Sequence, residues 1–192
     1  MELLPTLKRS VAALERERVP YMLGGSLACW ARGGPAVAGD LDFMVKPEDA
    51  ERALAALVAE GMREERPPEQ WLFKAWDGEH MVDIIFEAAG LPITDEVFAR
   101  AERLDVAAMR MPVMALEDVL TTMLSAMNER SLDYEHAVQI ARSLREQIDW
   151  EEVRARTADS PYAAPFFVLL ERLGIVTHVA EPQTSKPRIR VA

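Results

Sequence analysis

The segment Gly39-Asp40-Leu41-Asp42-Phe43-Met44-Val45 places two acidic residues in an otherwise apolar run. The run predicts a β-strand, whose side chains alternate between faces, so Leu41 and Phe43 enter the core while Asp40 and Asp42 project together, roughly 6.5–7 Å apart. Carboxylates this close repel each other unless a cation or a hydrogen-bond donor compensates. Magnesium prefers oxygen ligands and completes its shell with water and phosphates, so the pair predicts a metal site.

A second motif, Leu23-Gly24-Gly25-Ser26-Leu27, precedes the acidic strand and lies where a predicted strand turns into a helix. The start of a helix presents free backbone N–H groups to an anion. Glycine lets the backbone approach a phosphate closely, and the Ser26 hydroxyl adds a donor. We therefore expect Gly24, Gly25 and Ser26 to bind the phosphates of a nucleotide, although a plain loop would share this composition.

A third acidic residue, Asp83, is flanked by apolar residues in Met81-Val82-Asp83-Ile84-Ile85-Phe86. A charged side chain in such a strand needs a partner. If this strand lies beside the Asp40–Asp42 strand, Asp83 faces the same site, where it would accept a proton or complete the metal shell. The competing interpretation is a salt-bridged Asp83 at a partly exposed strand end.

The remaining pattern predicts an α/β (α+β) fold with a mixed sheet. Asp77-Gly78 between two apolar runs favours a β-hairpin over residues 71–86. From Pro112 onward the periodicity changes to helices, and Asp149 followed by Glu152 is typical of a helix N-terminus. These patterns predict an α/β core over residues 1–108, a helical region over 109–180 and a flexible tail over 181–192.

The composition of the 192 residues restricts the function classes. The formal net charge of -10 and the pI near 4.9 argue against an extended nucleic-acid surface, because phosphate binding relies on clustered Lys and Arg. Cys29 is the single cysteine, so no internal disulfide can form. The sequence contains no apolar run long enough for a membrane span and no secretory leader, which predicts a cytoplasmic protein without a membrane partner.

The Gly-Gly-Ser motif, the Asp40-Leu41-Asp42-Phe43 motif and the later Asp83 together resemble the nucleotidyltransferase superfamily, over about residues 19 to 90. Thirteen residues separate Ser26 from Asp40.

Within the superfamily the sequence is most similar to the AbiEii and MenT-like bacterial toxin nucleotidyltransferases. Their helical half carries a Lys-Leu-x-Ala helix, then an Arg, then a Lys-Asp pair, which match Met123-Leu124-Ser125-Ala126, Arg130 and Leu132-Asp133 here. Met123 stands where the family has a triphosphate-binding lysine.

The resemblance implies transfer of a nucleotidyl group from a nucleoside triphosphate to an acceptor hydroxyl, in a nucleotidyltransferase-like core followed by a helical bundle. Asp40, Asp42 and Asp83 would be catalytic and would hold two Mg²⁺ ions, while Arg130 and Asp133 would join the glycine motif in binding the nucleotide. Arg130, Lys74 or Lys46 would replace the missing lysine.

The acceptor would be tRNA, protein or a small molecule of the aminoglycoside or lincosamide kind, and a toxin-type enzyme would have an antitoxin partner. The alternative is a non-catalytic nucleotide-binding or interaction module.

Overall fold

The computed structural model describes residues 3–35, 39–89 and 91–177, so the tail predicted at residues 181–192 lies outside the described part. The helices are α1 (Leu4–Arg16), α2 (Gly25–Trp30), α3 (Ala50–Ala59), α4 (Asp95–Arg100), α5 (Leu116–Ala126), α6 (Tyr134–Leu144), α7 (Trp150–Arg156) and α8 (Ala163–Arg172). None of the helices in the described ranges has the length and apolarity that crossing a bilayer requires.

Two short 3-10 helices lie at Pro47–Asp49 and Arg145–Gln147. The strands in the described ranges are β1 (Met22–Leu23), β2 (Leu41–Met44), β3 (Arg63–Glu65), β4 (Leu72–Asp77), β5 (His80–Ile85), β6 (Glu87–Ala88), β7 (Leu91–Pro92), β8 (Glu102–Val106) and β9 (Met109–Val113). Seven of them form one sheet in the order β3-β4-β5-β2-β1-β9-β8. The β2–β5 and β1–β9 pairs are parallel and the others are antiparallel. The predicted mixed α/β fold is confirmed.

The β8–β9 hairpin lies at one edge of this sheet and pairs with it through β1. The predicted boundary between residues 108 and 109 falls inside the hairpin, at its two left-handed residues Ala107 and Ala108. The sheet therefore continues to Val113, and the helical part begins with α5 at Leu116. Neither strand was predicted: Leu104 and Val106 alternate with a charged residue, as do Met109 and Met111, but both runs are short and Pro112 argues against a strand within a sheet.

The predicted hairpin is β4 and β5, with a loop shifted by one residue from the expected position. Asp77 pairs with His80, so the two loop residues are Gly78 and Glu79 rather than Asp77 and Gly78. Gly78 has a φ of 65°, and the first loop position of a type II′ turn favours glycine for this reason. The Asp77 carboxylate instead accepts a hydrogen bond from Thr6 on α1 and pairs with Arg9.

An ion-pair cluster fixes α5 against α4 and α7. The Asp118 carboxylate on α5 is almost fully buried and accepts bonds from Arg100 Nε at 3.0 Å and Nη2 at 2.8 Å. Arg156 on α7 pairs with the same carboxylate. Since burying an unpaired carboxylate is costly, these two guanidinium groups hold α5 at a defined position, and α5 forms one wall of the cleft described below.

Candidate active site

Two of the predicted acidic residues, Asp42 and Asp83, are register partners on the adjacent parallel strands β2 and β5. Partners in register project from the same face of a sheet, so their carboxylates lie side by side. On the opposite face, Leu41 and Phe43 are fully buried, as the alternation within the strand predicts. The predicted adjacency of the two strands is therefore what the structure shows.

The row of charged residues continues across the sheet from Asp83. Lys74 on β4 is the register partner of Asp83, and Glu65 on β3 is the partner of Lys74. The Lys74 ammonium lies 3.0 Å from Asp83 Oδ1, and both side chains are less than one-fifth exposed. Asp83 is thus both salt-bridged, as the competing interpretation required, and next to Asp42.

Crowding of the carboxylates changes their protonation. Burial, followed by the negative charges of Asp83 and Asp40, raises the pKa of Asp42 to about 7, and Lys74 acts in the opposite direction. Burial also raises the pKa of Asp83, and the hydrogen bond from Lys74 offsets part of that rise. Because Asp40 raises the pKa of both Asp42 and Asp83, the three carboxylates belong to one electrostatic site. At neutral pH the negative charge of this site is only partly compensated.

The glycine motif packs directly on the acidic strand. Gly25 has a φ of 53°, and a Cβ added to it would lie 1.8 Å from Asp42 Oδ2. A Cβ on Gly24 would lie 2.4 Å from the Cε atom of Met44, and the Gly24 N–H donates to the Asp42 carbonyl at 2.8 Å. Gly25 therefore cannot carry a side chain, whereas at Gly24 the flexible Met44 side chain would have to move; Ser26 follows as the second residue of α2. A phosphate at this turn would therefore lie within reach of Asp42.

A cleft of about 410 Å³ opens beside Asp42, between the ends of β2 and β5 and one face of α5. Its lining is Gly25, Asp42, Met44, Trp71, Ile85, Ala88, Ala89, Val119, Thr122, Met123 and Ala126. Met123, which stands where the resembled family has lysine, is thus one of the apolar residues in this wall. We call this space the Asp42 cleft.

Two predicted nucleotide-binding residues, Arg130 and Asp133, do not line the Asp42 cleft. Asp133 instead caps α6, because its carboxylate accepts the His136 N–H at 3.3 Å. Lys46 pairs with Asp95 at 3.0 Å and with Glu48 at 3.4 Å. Among the three cations that sequence reasoning left open, Lys74 is the one that the structure pairs with a site carboxylate.

The carboxylates fit a hard divalent cation by their chemistry, since magnesium takes oxygen ligands and would relieve the repulsion that raises the pKa of Asp42. Over residues 3–35, 39–89 and 91–177, no three acidic, histidine or cysteine side chains are gathered closely enough to form a ready metal cage. Lys74 neutralises Asp83 in this arrangement. Asp40 and Asp42 are therefore the principal candidate ligands, and metal binding by Asp83 stays a prediction.

Comparison with known proteins places this geometry in context. A family model described as "Uncharacterised nucleotidyltransferase" matches residues 6–173. No functionally curated protein matches the sequence significantly. The fold is similar to the crystal structure of ANT(2")-Ia in complex with adenylyl-2"-tobramycin, with a TM-score of 0.65 and 15% identity over 86% of this chain and 99% of that one.

Two further solved structures share the fold. TM1012 from Thermotoga maritima superposes with a TM-score of 0.53 and 19% identity, over 76% of this chain and 91% of that one. The lincosamide antibiotic adenylyltransferase LnuA, with lincomycin bound, gives a TM-score of 0.51 and 12% identity, over 80% and 98% of the two chains. Likeness at this level of identity establishes the mixed sheet flanked by helices.

Replacing Gly25 by alanine tests the contact between the glycine turn and Asp42. We expect Gly25→Ala to lower the free energy of unfolding by about 3 kcal/mol, because the new Cβ both strains the backbone and collides with the Asp42 carboxylate. Gly78→Ala is the matched control, since Gly78 has a similar φ but no atom within 4 Å of an added Cβ. It should cost about 1 kcal/mol. Equal losses in urea denaturation would contradict the close contact.

The raised pKa of Asp42 predicts how stability depends on pH without metal. The folded state holds a proton on Asp42 up to about pH 7, whereas the unfolded chain releases it near 3.8, so stability falls as pH rises between these values. Asp42→Asn removes this loss. With EDTA at pH 8 its Tm should exceed that of the wild type by about 3 °C or more, the equivalent of about 1 kcal/mol. The two Tm values should converge near pH 4, and parallel pH curves would refute the shift.

Proposed function

Because the chain belongs to the family described as uncharacterised nucleotidyltransferases, we propose that Asp40, Asp42 and Asp83 form the active site of a magnesium-dependent nucleotidyltransferase that modifies a hydroxyl group of a small molecule. The observation that carries this proposal is the register pairing of Asp42 with Asp83, beside a glycine turn that contacts Asp42. A row of carboxylates can bind a metal ion, and the backbone N–H groups at the start of α2 can bind phosphate, so together they suit a metal-bound triphosphate.

The reaction requires an acceptor hydroxyl to attack the α-phosphorus of the nucleoside triphosphate. A new O–P bond forms to the acceptor, the bond from the α-phosphorus to the bridging oxygen breaks, and pyrophosphate leaves. Asp83 takes the proton of the attacking hydroxyl, and the ion pair with Lys74 favours the ionised form of Asp83 that this step needs. The backbone N–H groups at the start of α2, beginning at Gly25, would bind the phosphates. Magnesium held by Asp40 and Asp42 would neutralise charge on the reacting oxygens.

A small acceptor is favoured over tRNA by the charge of the protein. The formal net charge of -10 repels a polyanion, whereas it does not oppose a small molecule. ANT(2")-Ia and LnuA, which share the fold, are described in complex with adenylyl-2"-tobramycin and with lincomycin respectively. A toxin-type activity on tRNA or protein, an antitoxin partner and a cytoplasmic location stay predictions.

Calorimetric titration with each of the four ribonucleoside triphosphates, with and without magnesium, tests the proposed function. We expect at least one triphosphate to bind only when magnesium is present, because the acidic row otherwise repels phosphates. The double variant Asp40→Asn/Asp42→Asn should abolish that binding while retaining the fold. Binding that persists in the double variant, or no binding under any condition, would overturn the proposal and favour a non-catalytic module.

The role given to Lys74 predicts a shift in the pH–rate profile. Lys74 lowers the pKa of Asp83, so Lys74→Met should raise that pKa and move the acidic limb of kcat/KM to higher pH. We expect at least a tenfold loss at pH 7 with partial recovery at higher pH. Lys46→Met is the matched control, because it removes the same charge from a lysine that pairs with Glu48 and Asp95. An unmoved limb in Lys74→Met would contradict the role.

A further inference from the structure

The Asp42 cleft differs from a typical cation-binding site in the chemistry of its wall. Most of its lining is aliphatic or thioether, contributed by Met44, Ile85, Val119, Met123 and several alanines, with the Trp71 ring at the rim. The cleft volume of about 410 Å³ lies in the range that accommodates small organic ligands. An apolar wall of this kind gains free energy by removing apolar ligand surface from water.

Among the described residues that line the cleft, charge is limited to one carboxylate. Asp42 is the single ionisable side chain among these lining residues, and it lies beside the glycine turn. In the proposed function its carboxylate binds the metal at the reacting phosphate. A polycation such as tobramycin carries several ammonium groups, each of which needs a carboxylate or water when it is buried. The apolar wall supplies neither, so a polycationic acceptor is disfavoured despite the acidic overall charge.

The nucleobase of the donor is also a poor occupant. A base carries ring nitrogens and exocyclic groups that lose water on burial and need hydrogen-bond partners. Within the lining, the Thr122 hydroxyl already donates to the Val119 carbonyl at 2.9 Å. The Trp71 indole N–H is a single donor on a ring that is 40% exposed. The wall therefore has little means of reading the edge of a base.

We propose that the Asp42 cleft binds the acceptor, and that the acceptor is a hydroxylated small molecule with an apolar, uncharged body. The body would pack between Ile85 and the face of α5 that carries Met123 and Ala126, and its hydroxyl would reach the Asp42 end, where the nucleotide phosphates are bound. This inference rests on the proposed function and narrows its substrate class from any hydroxylated or cationic molecule to an apolar one.

Ligand-detected NMR titration of the full chain with two probe sets tests the substrate class. One set consists of uncharged phenyl- and cyclohexyl-substituted alcohols, and the other of tobramycin and related polyamino sugars. We expect the best alcohols to bind at least tenfold more tightly than any polyamino sugar. Ala126→Glu should weaken alcohol binding at least tenfold, because it adds a charge to the apolar wall.

Two further variants separate an effect on the Asp42 cleft from a general effect of adding a charge. Ala55→Glu is the matched control, since Ala55 is also an exposed helical alanine but lies on α3, outside the lining of the cleft, and it should leave alcohol binding unchanged. Trp71→Ala removes apolar surface without adding charge and should weaken alcohol binding severalfold. Ala126 and Trp71 are both exposed, so neither replacement threatens the fold.

Magnesium–nucleotide titrations on the same samples separate this inference from the proposed function. Ala126→Glu should retain the nucleotide affinity of the wild type. The inference is overturned if polyamino sugars bind more tightly, if no alcohol binds, or if Ala126→Glu and Trp71→Ala leave alcohol binding unchanged. It is also overturned if Ala126→Glu weakens nucleotide binding instead, because the cleft then belongs to the donor. A wild type that binds alcohols but no nucleotide removes the proposed function, and with it the role of the bound alcohol as an acceptor; the cleft then remains only an apolar binding site.

Discussion

The parallel pairing of β2 with β5 is the constraint on which the rest of the site depends. It places Asp42 beside Asp83 and creates a concentration of negative charge that the protein alone compensates only in part, through Lys74. A fold does not retain such repulsion for stability, because replacing one carboxylate by an amide would relieve it. The physical cost of the arrangement is therefore the strongest internal argument that the carboxylates serve a ligand.

Two other features fix the surroundings of the Asp42–Asp83 pair: the glycine turn and the packing of α5. The glycine turn contacts the Asp42 carboxylate so closely that no side chain fits between them. On the other side, the buried Asp118 and its two arginines hold α5 in place, so the apolar wall of the cleft has a fixed position relative to the acidic row. The charged side chains thus come from the first half of the chain, whereas the apolar wall combines residues of that half, such as Met44 and Ile85, with the face of α5.

Sequence reasoning identified the acidic residues and the glycine motif because their signals are local. Asp83 was recognisable since a charge within an apolar strand is unusual, and the Gly78 hairpin was recognisable from its turn residues, although its loop lies one position later than expected. The β8–β9 hairpin was missed, because its alternating runs are short and one of them contains Pro112. The family resemblance to AbiEii and MenT-like toxins also directed attention to Arg130 and Asp133, whereas the structure gives Asp133 a capping role at α6.

Local sequence patterns were enough to identify the fold class, the three carboxylates and the glycine turn, since strand alternation and glycine chemistry depend only on neighbouring residues. Tertiary structure alone decided that Lys74 rather than Lys46 pairs with Asp83, and that Met123 faces Asp42 across an apolar cleft. Both facts depend on which strands pair and on how α5 packs over the sheet. Register and packing join residues far apart in the chain, and no local pattern specifies them.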